Sequence, residues 1–383
     1  MQVSSWVATT MERIGMNAKT EPRITECRVT AWQIPTDQEE SDGTLTWSAT
    51  TMVLVELKAA DIWGLGYTYA HQAAASLIRT VLFDTVKERS PFDIPALWIE
   101  MRRRVRNYGN HGLGGMALSA VDNALWDLKA RLLQVPLSRL LGKVREDIPL
   151  YGSGGFCSYS LARLEEQLGS WAAEGFRAVK MKIGASPDQD AERVRRAREA
   201  IGSDVKLFID ANGACTPGEA LAICRDLCEP HRVSWFEEPV SSDNLKGLRH
   251  VREHAGPGLD IAAGEYNSTP DTFQAMLEAN CIDVMQADVT RCLGISGFLL
   301  VDALCQGADI PLSAHTAPAM HAAVCAAAQK LVHLEYFHDH VRIEAMLFDG
   351  LPTVQHGVLR VDPEAHGNGL ILKRHAAEPY IVA

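Results

Sequence analysis

Seven residues able to move protons or hold a metal recur through the second half of this 383-residue chain: Lys182, Asp210, Glu237, Glu265, Asp288, His315 and Glu335. The steps between them are 28, 27, 28, 23, 27 and 20 residues, and each lies at or just past the end of a short apolar run. Three are carboxylates: Asp210 in FIDANG, Glu237 in WFEEP and Glu265 in AAGE. Gathered at one point they would repel one another strongly unless a cation sat among them. An all-oxygen set without His or Cys describes Mg²⁺ better than Zn²⁺. Taken singly, each acid reads as readily as a helix N-cap or first-turn carboxylate. Only matched strand ends would make the three a metal site.

The remaining four suggest proton transfer. Lys180 and Lys182 in AVKMKIG are two apart, so a strand turns both to one side. Two adjacent ammonium groups disfavour each other's charge, and burial adds to this, so Lys182 is expected to have a lowered pKa and to serve as a general base. The alternative is a solvated face of an edge strand. Asp288 and His315 would end neighbouring strands, where the carboxylate orients the imidazole. A lone His would more simply be a hydrogen-bonded core residue. Glu335 is expected to carry a raised pKa and to donate a hydrogen bond to a substrate oxygen. A base on each side of a metal suits removal of the weakly acidic proton next to a carboxylate.

Such residues need a scaffold that brings strand ends together. From residue 148, short apolar runs alternate with helical patterns: PLYGS, AVKMKIG, VKLFIDANG, SWFEEPV, LDIAAGE, IDVMQADV, IPLSAHT and LVHLEYF are the strands. Eight strand-helix units with right-handed crossovers favour a closed (β/α)8 barrel over 147–349, with its active site at the strand C-termini. A doubly wound sheet is the competitor, but YGSGGF is not the glycine fingerprint it would carry. Residues 1–146 read as an α+β capping domain, with 1–22 a loose arm. VTAWQI and TTMVLVEL alternate as strands, a third short segment lies around WGLGYTYA, and helical patterns follow. The stretch PTDQEESDGTLTWSA between the first two strands reads as a long polar loop of the kind that carries function. The tail, 350–383, is expected to return to the capping domain.

Composition excludes several classes. A hydrophobic fraction of 47% and a charged fraction of 22% are those of an ordinary globular protein. With a net charge of −11 and no basic stripe, nucleic acid is not an expected partner. The nine cysteines are scattered and odd in number, so no disulfide framework is expected, and Cys224 and Cys228 read as buried thiols. No run of 18 apolar residues and no signal-like N-terminus appears, so a cytoplasmic protein without membrane partners is expected. HDH at 338–340 raises the question of a metal-hydrolase cluster, but no His pair matches it on the first strand, and it reads as loop polarity.

Together, KMK at 180–182, DANG at 210–213, EEP at 237–239, GE at 264–265, Asp288 with His315, and Glu335 resemble the enolase superfamily, mandelate racemase subgroup. SAVDNALWDLKARLLQVPLSRLLG (119–142) resembles the helical part of that family's capping domain. The resemblance implies one Mg²⁺ held by Asp210, Glu237 and Glu265, with Lys182 the base on one face and the His315–Asp288 pair on the other. Lys180 and Glu335 would touch the substrate carboxylate, and Asn212 and Glu238 are weaker candidates. It also implies that capping-domain loops choose the substrate, which makes Trp47, Tyr67, Tyr69 and His111 candidate contacts. For each of these four, ordinary packing is the equal alternative. The expected activity is dehydration of an acid sugar to a 2-keto-3-deoxy acid, with racemisation, epimerisation or cycloisomerisation the alternative and a non-catalytic metabolite-binding relative a remote third. A homo-oligomer between dimer and octamer is implied as well.

Overall fold

Short runs of three to seven mostly apolar residues fold here as parallel strands that neighbour one another in sequence order. In the computed structural model, which describes residues 21–383, eight such strands form one closed sheet. They are β4 (Ile148–Gly154), β5 (Ala178–Lys182), β6 (Lys206–Asp210), β7 (Val233–Glu237), β8 (Asp260–Ala263), β9 (Val284–Ala287), β10 (Leu312–Ala314) and β11 (Leu331–Phe337). The closing pair is β11 with β4, in the register Glu335 opposite Tyr151. Helices follow the strands and pack outside, the first being Leu161–Ala173, whose N-cap Ser160 accepts from the Arg163 amide.

Period-two alternation sets what fills the barrel. Register places Lys180 beside Phe208 and Phe208 beside Trp235, and one step further Lys182 beside Asp210 and Asp210 beside Glu237. Apart from Lys180, whose ammonium lies 5.5 Å over the Tyr151 ring, a lower interior layer is apolar, with Tyr151, Ala178, Phe208, Trp235, Ala262 and Val284 in one cluster. Phe208 and Trp235 stack there with ring centroids 5.2 Å apart. The layer above it, at the strand C-termini, is charged. Burial of each aromatic ring below is worth about 2–3 kcal/mol, which helps offset the cost of the polar layer.

The capping domain is an antiparallel sheet, β1 (Ile24–Ser41), β2 (Thr46–Ala59) and β3 (Ile62–Tyr69), backed by the buried helix Leu113–Leu132. Here the expected long polar loop over 35–48 is corrected. The strands continue through it, with Glu40 opposite Trp47, an irregularity between Pro35 and Glu40, and only Asp42–Leu45 left as a turn. Asp42 closes that turn: its Oδ1 accepts from the Thr44 and Leu45 amides at 2.6 and 2.8 Å. A side chain at Gly43 would sit 2.4 Å from the Ala211 carbonyl, so only glycine lets the hairpin tip rest on the ends of β5 and β6.

The tail has two destinations. β13 (Thr353–Gln355) and β14 (Val358–Arg360) form a hairpin that pairs with the start of β4, between them and β11 lies the short β12 (Phe348–Asp349), and β15 (Ile371–Leu372) pairs with β12. The last residues then reach β1, with Val382 N donating to Ala31 O and Ala31 N to Ala383 O, both at 2.8 Å. Of the arm read over 1–22, residues 1–20 lie outside the described residues. Among the described residues no helix is long and apolar enough to cross a membrane. All nine cysteines are free, and Cys224 and Cys228 are buried.

Candidate active site

Asp210 and Glu237 end their strands, Glu265 follows β8 by two residues, and all three are at most 2% exposed. One carboxylate oxygen from each lies within 4.8 Å of the other two. Trp235 Nε1, from the layer below, fixes Glu237 at 3.1 Å. Two further oxygens, Asn212 Oδ1 and Glu238 Oε1, are buried without hydrogen-bond partners. Buried unsatisfied oxygens beside an all-oxygen acidic trio fit a hard divalent cation. The backbone is strained at the same rim: Asn212, Glu238 and Thr316 have φ of 48°, 39° and 51°.

Both lysines point into this layer, as their spacing predicts. Lys180 Nζ lies 2.6 Å from both oxygens of Glu237 and 2.8 Å from Glu335 Oε1, and Lys182 Nζ hydrogen-bonds Asp210 Oδ2. The expected lowering of the Lys182 pKa is not what the structure has. Burial and Lys180 do push it down, but Asp210, with Glu237 and Glu265 behind it, raises it above the ordinary value. Spacing two lysines on one strand says nothing about carboxylates arriving from three others.

Opposite stands the histidine. His315 Nδ1 is 2.8 Å from Asp288 Oδ2, and Asp288 is itself held by the Thr290 amide and hydroxyl, both 2.7 Å from Oδ1. His315 Nε2 is 2.9 Å from Glu265 Oε2. Burial disfavours its charge, but Glu265, Glu335 and Asp288 outweigh that and raise its pKa to about 10. Glu335 is also corrected: despite burial, Lys180 and His315 lower its pKa to about 2, so it accepts hydrogen bonds rather than donating one. Its partners are Ser153 Oγ at 2.6 Å and the Thr316 amide at 3.0 Å.

Lys182, Asn212, Glu265 and His315 line a cavity of about 440 Å³ beneath the capping hairpin. Trp47 and Tyr69 line it from above, as do Asp42, Thr50 and Thr51. Tyr67 does not: it is fully buried, and its hydroxyl donates to Glu344 Oε1 at 2.5 Å. His111 is exposed in the turn before the 113–132 helix and is not among the residues around the cavity. Sequence reasoning missed Arg291 and Tyr266, which line the mouth with the guanidinium 5.2 Å over the ring. The available signal was position, since each lies one to three residues beyond a strand-end acid. HDH is not loop polarity either. His338 opens a helix running to Leu347, Asp339 is fully buried and accepts from Thr50 Oγ1 at 2.5 Å, and His340 stacks on Tyr69 at 3.4 Å.

Residues 163–376 match the family described as enolase C-terminal domain-like, and residues 31–142 the N-terminal domain of mandelate racemase / muconate lactonizing enzyme. The chain belongs to the enolase superfamily, mandelate racemase subgroup. A mandelate racemase/muconate lactonizing enzyme-like protein from Rubrobacter xylanophilus shares its fold with a TM-score of 0.92 at 49% identity, covering 94% of this chain and 100% of that one. The 3,6-anhydro-alpha-L-galactonate cycloisomerase of Streptomyces coelicolor is 31% identical over 332 residues, 84% of this chain and 90% of the relative. The L-talarate/galactarate dehydratase of Salmonella typhimurium, solved with Mg and L-lyxarohydroxamate, has a TM-score of 0.86 at 25% identity, covering 96% and 95%. This superfamily member is thus similar to enzymes acting on acid sugars by more than one reaction.

Proposed function

We propose that this superfamily member dehydrates an acid sugar, an aldonate or aldarate, to a 2-keto-3-deoxy acid. The observation that carries the reading is geometric: a lysine on one side of a buried acidic trio and, on the other, a histidine oriented by Asp288. Asp210, Glu237 and Glu265 would hold Mg²⁺. Bound there, the ion would polarise the substrate carboxylate and draw Asp210 away from Lys182, leaving that amine freer to act as base.

Lys182 then takes the α-proton from one face. His315, charged and oriented by Asp288, gives its proton to the departing β-hydroxyl, which leaves as water, and the enol tautomerises to the ketone. Lys180 holds the substrate carboxylate end, Glu335 in turn holds Lys180 and the Thr316 amide, and the polar rim of Asp42, Thr50 and Thr51 meets the sugar hydroxyls. Arg291 supplies a cation at the mouth that the sequence reading did not include.

Proton NMR in D₂O, with Mg²⁺ and a panel of aldonates and aldarates, tests this. Loss of the α-proton with new keto-deoxy methylene signals is the expected result. The cycloisomerase relative favours a second reading in the same site. Isomeric product or deuterium at the α-carbon without loss of water would establish that reading and overturn dehydration.

A further inference from the structure

Away from the acidic trio, the corrected hairpin and the reinterpreted HDH segment meet. Asp37 lies within the irregular stretch of β1 and Glu40 ends it, and His338 opens the helix after β11. One donor atom from each lies within 4.8 Å of the other two, and His338 Nε2 is 2.9 Å from Asp37 Oδ2. A His–Asp pair alone would explain that contact but not Glu40. Glu40 is 0% exposed; its Oε2 accepts from Trp47 Nε1 at 2.9 Å, while its Oε1 is buried with no hydrogen-bond partner. Burial, with Asp339 beside it, pushes the Glu40 carboxyl up to about 8, so that oxygen must be met by a proton or by a cation.

The neighbouring charges do not supply that partner. Fully buried Asp339 adds a third carboxylate whose charge reaches Glu40. Arg342 is hydrogen-bonded to Asp339 Oδ1 and the Pro35 carbonyl, both at 2.6 Å. Arg163 lies 3.9 Å from Asp37 and is shared with Glu166 at 3.1 Å. Neither cation hydrogen-bonds Glu40.

We propose that Asp37, Glu40 and His338 form a second divalent-cation site that clasps the capping hairpin to the end of the last barrel strand. One imidazole nitrogen with two carboxylates suits a borderline ion, Zn²⁺ or Mn²⁺, better than Mg²⁺ or Ca²⁺. On binding, His338 ligates as the neutral tautomer with its ring proton on Nδ1, a proton carried by Glu40 passes to solvent, and the contact of His338 Nε2 with Asp37 is replaced by a shared bond to the ion. The two carboxylates balance the ion's charge. Asp37, 36% exposed, leaves the site open to water for further ligands. Because Glu40 also holds Trp47, which lines the mouth, an occupied clasp fixes one wall of the substrate cavity. These are positioning residues, and the site is independent of which acid sugar reaction the enzyme runs.

The test is a metal count on the full-length protein saturated with Mg²⁺ and titrated with Zn²⁺ or Mn²⁺, read by calorimetry and elemental analysis. The wild type should take up one ion that Glu265→Gln still takes up. His338→Ala should weaken it by more than about 100-fold, at or beyond the upper end of effects seen when groups supporting a metal ligand are removed. Asp37→Asn, at a half-exposed position with little risk to folding, should weaken it too. Hydrogen exchange of residues 36–47 should slow on Zn²⁺ addition in the wild type and not in Asp37→Asn. No second ion, or a second ion held equally well by His338→Ala and Asp37→Asn, would overturn the site.

Discussion

His315 and His321 lie six residues apart and are both buried, yet the mouth of the barrel raises the pKa of one while the layer behind it lowers that of the other. His321 Nε2 accepts from the Val289 amide at 2.9 Å, and Nδ1 meets the Ala317 carbonyl at 3.2 Å. An imidazole that accepts at one nitrogen and donates at the other cannot take a second proton without losing a bond. Burial, the dominant cause, therefore lowers its pKa to about 4, although Asp288 pulls the other way. At His315 the same burial is overcome by three carboxylates. Depth does not set the charge of a buried histidine; what faces each nitrogen does. One region is built to move a proton, the other to refuse it.

The widest separation of the two should be in rate. His315→Asn, and equally Lys182→Ala, should lower turnover by about 10²–10⁴-fold with Mg²⁺ stoichiometry and folding unchanged. Steady-state kinetics beside metal analysis and circular dichroism would check it. Near-normal activity in either variant would remove the two-sided proton transfer on which the functional reading rests.

His321 should show the opposite profile. His321→Ala leaves the Val289 amide and Ala317 carbonyl unpartnered around a new cavity, a loss of about 2–4 kcal/mol by urea unfolding. Its pH signature has a definite sign. The folded pKa of about 4 lies below the ordinary 6.5, so between those values the unfolded chain binds the extra proton. Stability from this group is whole above pH 6.5 and falls as pH drops, at up to about 1.4 kcal/mol per unit. His340, lowered to about 3, adds to the same limb. In the metal-free protein His315 acts in reverse, contributing below pH 6.5 and losing that contribution as pH rises through 10. An acid limb no shallower in His321→Ala than in the wild type would refute the neutral assignment.

What could be read beforehand follows the same division. The seven chemical residues were visible because strand ends impose a spacing, and a barrel makes spacing equivalent to proximity. Their charge states were not visible. Lys182 sits among carboxylates from β6, β7 and the end of β8, and no local pattern on β5 encodes that. The 35–48 hairpin was hidden for another reason. TDQEES carries no apolar alternation, since its strand is paired on one side only and leans over a polar mouth, so it reads as loop. HDH failed similarly, because Asp339 is buried by partners from the capping domain, 289 residues away along the chain at Thr50.

Tyr67 and Tyr69 give the finest version of the comparison. Six of the eight residues of β3 are buried, on both faces, so alternation could not say which tyrosine reaches the substrate. The structure puts Tyr69 at the mouth and Tyr67 one step behind, against Glu344. Burial raises Glu344 to about 8, with the Tyr67 hydroxyl and the Ala319 amide opposing the rise. Tyr67→Phe should therefore cost about 1–2 kcal/mol of stability and leave KM within about twofold, since no contact with substrate is lost. It should also raise the Glu344 pKa further. A folded pKa above the ordinary 4.5 contributes stability that is whole below that value and lost as pH rises through about 8. Removing the hydroxyl should move the end of that loss to higher pH. Tyr69→Phe should do the reverse, raising KM about fivefold, the equivalent of one hydrogen bond, with little change in unfolding. If Tyr67→Phe instead raised KM and left the alkaline limb in place, the mouth would extend a strand position deeper than Tyr69.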